Sequence, residues 1–231
     1  NLSALLADRG RRTLLVDLDP QAHATRCFPK VEPERSVSDL IMDRPSQAIR
    51  SIVPTGIDNL GLVASTPELT ETAELLSTRI RREERLTRAL ETLTDEYQHV
   101  VIDCPPALGI LSYNAIIAAD CMIIPVQPGA GAVAGLDALL EAARELRDED
   151  DVPYRILVTM FDMRTTRTNA IVDELLDEYK RRLLKTVISK SEALNQANLA
   201  ARPITRFAIS SRGAHEYEAL CDEILRIRIR T

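Results

Sequence analysis

The sequence predicts an α/β fold, a mostly parallel twisted sheet with helices on both faces, and three observations predict it. Apolar runs without polar alternation, such as Thr13–Val16 and Val100–Ile102, read as strands buried on both faces. Helical segments alternate with these runs along the chain, the pattern of βαβ units. Two of the runs end in aspartate with proline close behind, in Val16-Asp17-Leu18-Asp19-Pro20 and in Ile102-Asp103-Cys104-Pro105-Pro106. A chain of 231 residues holds one large or two small domains, and the regular alternation favours a single domain over 1–231.

Taken in order, Asn1–Arg9 reads as a helix with Leu2, Leu5 and Leu6 on one face, stopped by Gly10. The strand Thr13–Asp19 follows, then a polar loop from Pro20 to Glu34 suited to a switch or lid. Ser36–Met42 and Gln47–Ile52 read as short helices, Asn59–Ser65 as a strand, and Pro67–Ser77 and Glu83–Tyr97 as helices. Arg81, Arg82, Arg85 and Arg88 interleave with Glu83, Glu84 and Glu91, which marks a solvated helix face rather than a nucleic-acid stripe. The strand ending at Asp103 is followed by a helix at Ile110–Ala118, a strand at Cys121–Val126 and an amphipathic helix at Ala132–Arg147. Tyr154–Met160 reads as a strand, Arg167–Leu183 as a helix, and Lys185–Ile188 as a short strand. Glu192–Ala200 is a short helix, Pro203–Phe207 a connector or edge strand, and Arg212–Arg228 the closing helix.

Composition narrows the function. Hydrophobic residues make up 45%, enough for a full core, but aromatics are only 3% and Trp is absent, so that core is aliphatic. The same scarcity argues against single-strand recognition by base stacking. With a net charge of -6, any DNA contact must come from a local basic patch. Cys27, Cys104, Cys121 and Cys221 are far apart and form no CxxC pair, which argues against a zinc site or disulfide framework and fits a reducing cytosol. Cys104 and Cys121 are expected as small core residues in their strands. No apolar run is long enough to span a bilayer. His23, His99 and His215 are scattered and make no metal or triad case.

The chemistry lies at the two strand ends. Open α/β sheets bind ligands beyond the carboxyl ends of their strands. Asp17 and Asp19 are two apart, so they share a side of the chain. An apolar strand ending in aspartate, as at Asp103, is the Walker B pattern, whose carboxylate holds Mg²⁺ beside nucleotide phosphates. One such strand end is also explained by polarity at a strand terminus; two in one chain point to a nucleotide-binding domain.

Leu14–Gln21 followed by Ala24-Thr25, together with Val101–Pro106, Leu108-Gly109 and Asn114-Ala115, resembles the ParA/Soj partition ATPases. These belong to the deviant Walker A group of P-loop NTPases, which also contains MinD. Ile124–Pro128, Gly135-Leu136, Thr159-Met160 with Asp162 and Arg164, and Ser210–Ala214 with Tyr217 match later landmarks, so the likeness runs the length of the chain. The family's Lys-Gly-Gly-Val-Gly-Lys-Thr-Thr loop and the strand before it precede the segment matching Asn1–Ala7. The chain is therefore expected to lack its true N-terminus, and without that loop to hydrolyse ATP poorly.

The resemblance implies a P-loop NTPase-like three-layer fold, ATP and Mg²⁺ as cofactors, and a dimer formed with ATP. It implies that Asp19 orients the attacking water, since a carboxylate is a weak base at neutral pH. Asp103 would hold Mg²⁺ largely through water, with Asp17 supporting that shell and the nucleotide. Met160, Asp162, Pro203 and Ile204 would border adenine, although Met160 as core and Pro203 as a turn explain those residues equally. Lys190 and Arg212, joined by Arg202 and Arg206, would bind duplex DNA non-specifically through phosphates; scattered arginines also suit a plain solvated surface. A ParB-like centromere-binding protein would be the second partner, in the cytoplasm at the nucleoid, and plasmid or chromosome partition the role.

The chain departs from the family at Ser189, Ala193 and Gln196, where Pro, Arg and Glu are usual, and at Gly129–Ala132, which lacks the usual acidic and aromatic residues. Two other readings stay open, a MinD-like membrane-positioning ATPase and a non-catalytic interaction protein. The tail Ile224–Thr231 alternates Ile and Arg with period two, which makes no apolar helical face and argues against membrane binding.

Overall fold

The computed structural model describes residues 1–29, 31–128, 132–162 and 178–227. Arg164, most of the expected helix Arg167–Leu183, Gly129–Gly131 and the end of the basic tail lie outside the described residues. Contacts divide the chain into two compact units, 1–118 with 200–203, and 119–199 with 204–231.

The first unit is built on a four-stranded sheet of order β2-β3-β1-β4. Its strands are β1 (Thr13–Asp17), β2 (Ile52–Pro54), β3 (Leu60–Val63) and β4 (His99–Asp103). β1 pairs in parallel with both β3 and β4, and all five of its residues are buried. Successive side chains go to opposite faces, so Leu14 and Val16 join one core and Leu15 joins the other. On Leu15's face, helix α1 (Leu2–Asp8) brings Ala4 and Ala7 against Leu60 and Leu62. On the other face lie α3 (Val37–Met42), α4 (Leu69–Leu76), α5 (Arg85–Leu90) and α6 (Ile110–Ala118), through Val37, Leu40, Leu69, Leu76, Leu86 and Leu111. Gly10, at φ 74, stops α1 as its position predicts. A short turn of helix, α2 (His23–Arg26), lies between β1 and α3.

Three sequence expectations are corrected here. Glu83–Tyr97 is not one helix but a 3-10 turn, α5, and a second 3-10 turn at Glu91–Leu93. The buried amide of Asn114 accounts for the first break: its Oδ1 accepts from Leu86 N at 3.0 Å and its Nδ2 donates to Arg82 O at 2.8 Å. Gln47–Ile52 is a 3-10 helix, Pro45–Ser51, and Ile52 instead begins β2. β2 pairs antiparallel at the sheet edge, where Pro54 is tolerated because the strand's outer side needs no donor. Cys104 is exposed just after β4, and Cys121 is half-buried just before the next strand, so neither is a core residue. The charged face behaves as expected through the ion pairs Arg81–Glu84 and Arg82–Glu83. Arg85 has a structural task as well, donating to the carbonyls of Ile41 and Met42 at 2.8 Å and closing the C-terminus of α3.

The second unit carries a three-stranded parallel sheet of order β5-β6-β7, with β5 (Met122–Val126), β6 (Tyr154–Phe161) and β7 (Leu183–Ser189). Helix α7 (Ala132–Arg147) packs beside β5. α8 (Glu192–Leu199), α9 (Ile204–Phe207) and α10 (Arg212–Ile224) complete the unit. Pro203–Phe207 is therefore a helical turn rather than an edge strand, with Pro203 just before it and Ile204 fully buried as its anchor. Leu184 and Ile188 of β7 pack with Leu157 and with Leu220 of α10. Gly213 lets α8 and α10 meet, because a Cβ there would lie 2.8 Å from Leu194 Cγ. Among the described residues no helix is long and apolar enough to cross a membrane.

Two glutamates of α10 fasten it to β7. Glu223 accepts from the backbone N–H of Lys185 at 2.7 Å and Thr186 at 2.9 Å, and from Thr186 Oγ1 at 2.8 Å. Glu216 accepts from Ser189 N at 2.8 Å and Ser189 Oγ at 2.7 Å. Burial alone raises the Glu223 carboxyl, but the bonds from Lys185 and Thr186 together outweigh it and hold the group below its ordinary 4.5. A carboxyl lowered in the folded state contributes stability above its unfolded value and loses it as pH falls through the folded one. Glu223→Gln is accordingly expected to cost about 1–3 kcal/mol at neutral pH. Urea titrations should show that difference at pH 7 and its narrowing below pH 4.5, the ordinary value.

Candidate functional site

Asp17 and Asp103 close β1 and β4 and are paired directly across the sheet. Asp19 lies two residues beyond β1, on the loop that leads to α2. The three carboxylates thus gather at one end of two parallel strands, where open α/β sheets place ligands. Leu18 N donates to Asp103 O at 2.8 Å and ties the start of the loop to β4.

Their environments differ. Asp17 is fully buried, and both of its oxygens are engaged. Oδ1 accepts from Asp19 N at 3.1 Å; Oδ2 accepts from Thr25 N and Thr25 Oγ1, each at 2.7 Å. Asp19 is 9% exposed. Its Oδ1 accepts from Gln21 N at 2.9 Å and its carbonyl from Ser65 Oγ at 2.7 Å, which leaves Oδ2 unengaged among the described residues. The Asp103 carboxylate takes no hydrogen bond from the described residues. Solvent reaches Asp103, but the protein crowding around it, followed by the negative charges of Asp17 and Asp19, pushes its carboxyl up from 3.8 to about 6. The positive α-amino group of Asn1, and after it His23, offset this in part. An electron-rich group in that state favours a cation next to it.

Mg²⁺ suits this donor set. It binds through one or two carboxylates and keeps water and phosphate oxygens for its other positions. Asp103 has an unengaged carboxylate, whereas Asp17 has no oxygen to spare and would act only indirectly. Among the described residues no three His, Cys, Asp or Glu side chains are arranged to hold a metal by themselves.

Met160 is half exposed, with the unusual φ of 53, near the end of β6, and Asp162 follows that strand. Ile204 is 0% exposed, packed with Ala197 and Ala214. Its side chain has no surface to offer adenine. Lys190, Arg202 and Arg206 are exposed. Arg212, 65% exposed, pairs with Glu216 at 2.7 Å. It borders a shallow groove of about 650 Å³ that also takes in Lys185, Thr186 and His215. Lys185 is a further cation that the sequence did not single out, because only the packing of α10 on β7 brings it beside Arg212; His215 lies one turn along α10 from Arg212. Ser189 supplies the N–H and hydroxyl that fix Glu216.

Comparison with known proteins agrees with this arrangement. A family model described as an AAA domain matches residues 1–156. The chain is 37% identical to the sporulation initiation inhibitor protein Soj of Bacillus subtilis over 229 residues, covering 97% of this chain and 90% of Soj. It is 34% identical to the chromosome partitioning protein ParA of Myxococcus xanthus, covering 98% of this chain and 81% of ParA. Among solved structures, cobyrinic acid a,c-diamide synthase of Mycobacterium smegmatis with bound ADP and magnesium superposes with a TM-score of 0.79 at 29% identity, covering 97% of this chain and 86% of that one. Sequence, topology and the acidic strand ends converge on one conclusion: the chain belongs to the ParA/Soj family of partition ATPases.

Proposed function

We propose that this protein is a dimerising ATPase that binds duplex DNA non-specifically in its ATP state and segregates plasmid or chromosomal DNA. The observation that carries the reading is the unengaged Asp103 carboxylate beside the unengaged Oδ2 of Asp19, at the neighbouring ends of β1 and β4 among the described residues. Bound Mg²⁺ would neutralise charge on the phosphates during transfer to water. Asp103 would hold that cation largely through water. Asp19 Oδ2 would accept a hydrogen bond from the attacking water and orient it. Asp17 would act from behind, by fixing the loop that carries Asp19. Met160, Asp162 and Pro203 would border the adenine ring. ATP would close a homodimer, hydrolysis would open it, and a ParB-like centromere-binding protein would stimulate that step. The site of action would be the cytoplasm, at the nucleoid.

DNA phosphates would be met by Lys190, Arg212, Arg202 and Arg206. The Arg212–Glu216 pair is exposed on the arginine side, so it is weak enough to exchange for a phosphate. The test is binding of the full-length protein to unrelated duplexes with ATP, with ADP and with neither. Binding that requires ATP supports the reading; nucleotide-independent binding, or none, sinks it. Lys190→Ala combined with Arg212→Ala should weaken binding uniformly across sequences and reduce the salt slope by about two. ATP affinity should not change.

A further inference from the structure

We propose that Ser65 and Thr25 are positioning residues for Asp19, which rests on the reading of Asp19 as the group that orients water. The observation is a closed ring of hydrogen bonds drawn from three places in the fold. Ser65, just past β3, donates from Oγ to Asp19 O at 2.7 Å and from its backbone N to Thr25 Oγ1 at 2.9 Å. Thr25, on α2, donates from N and Oγ1 to Asp17 Oδ2. Asp17, at the end of β1, accepts from Asp19 N and completes the ring.

The ring reaches Asp19 from both sides. Its N–H is held by Asp17, and its carbonyl accepts from Ser65 and also from Ala22 N at 2.8 Å. Its Oδ1 is held by Gln21 N. Of the polar atoms of Asp19, only Oδ2 is left over among the described residues. Ser65 is 3% exposed and Asp17 is 0% exposed, so the two bonds that hold the Asp19 backbone are buried, while Thr25 is half-buried. The loop is therefore shaped before any ligand arrives. A group held in this way does not have to be ordered during the reaction, which is how preorganisation lowers a barrier. The Thr25 hydroxyl is the joint of the ring, because it donates to Asp17 while accepting from Ser65.

A ring that only braced the fold would affect stability and nothing else. The test therefore combines Ser65→Ala, Thr25→Val and the hydroxyl-retaining Thr25→Ser in the full-length protein. In the nucleotide-free state, amide exchange at Asp19 and Gln21 should quicken in Ser65→Ala and Thr25→Val and stay slow in Thr25→Ser. With ATP, kcat should fall about 10- to 100-fold in the first two variants. KM should hold within about twofold, the pattern of an interaction felt in the transition state. Thr25→Ser should restore kcat. Wild-type kcat in Ser65→Ala and Thr25→Val, alongside a dead Asp19→Ala, would overturn the positioning role and leave Asp19's role standing. Full turnover in Asp19→Ala would instead remove the reading on which the proposal rests. Adding Thr25→Val to Asp19→Ala should produce no further loss of kcat.

Discussion

Replacing Asp19 with alanine is expected to lower ATP turnover about 10²- to 10⁴-fold, the range for removing a group that handles the attacking water. ATP affinity should be nearly unchanged, so ATP-bound dimers should accumulate. The expectation follows from how little else the side chain does. Oδ1 satisfies Gln21 N, an amide that solvent can serve once the carboxylate is gone, since Gln21 is exposed. The backbone bonds to Asp17 and Ser65 do not involve the side chain and survive the change. Only the unengaged Oδ2 leaves without replacement. Single-turnover hydrolysis, measured beside equilibrium ATP binding, separates the two quantities. Turnover at the wild-type rate would show that another group orients the water.

Asp103→Asn is expected to move activity and stability in opposite directions. Activity should fall because the carboxylate offered to the cation is gone. Stability without nucleotide should rise, because the native fold raises the Asp103 carboxyl from 3.8 to about 6, first by crowding and then through Asp17 and Asp19. For an acid raised in this way the native state binds the proton more tightly than the unfolded state does. Stability therefore declines as pH climbs from 3.8 to about 6 and stays at the lower level above it. An uncharged asparagine avoids that decline. At pH 7 the variant should melt above the wild type, and below the unfolded value of 3.8 the two should coincide. Solvent at Asp103 screens the repulsion and keeps the gain modest. A variant melting below the wild type at pH 7 would mean that Asp103 is satisfied in the free protein. A carboxylate that the fold disfavours but the reaction uses is the usual mark of a functional site.

The acidic strand ends were legible because two independent signals coincide in them. Continuous apolar runs mark buried strands, and carboxylates end both. The parallel register then sets Asp17 beside Asp103 without further specification. α6 and α7 keep their sequence-derived bounds because helical spacing runs unbroken through both. What the sequence hid depends on contacts between distant residues. The ring around Asp19 uses hydroxyls 40 residues apart, which have no spacing signature. The first interruption of Glu83–Tyr97 comes at Asn114, 28 residues beyond Leu86. β2 has three residues and ends in proline, too short for alternation to show. Ile204 resembled a ligand contact in a family pattern, and only packing against Ala197 and Ala214 reveals a core residue. Arg85 resembled one more surface cation until its guanidinium met the end of α3.

The glutamates on β7 have a consequence beyond fastening a helix. β7 has a single strand neighbour among the described residues, and an open strand edge invites pairing with another copy of the chain. Glu216 and Glu223 occupy the N–H groups of Lys185, Thr186 and Ser189, donors that an incoming strand would need. They bring negative charge to the place where such a strand would dock. Replacing both with alanine would remove the plug and the repulsion together. Self-association through this edge should therefore appear in the double alanine variant at neutral pH, so the two glutamates protect solubility as much as stability.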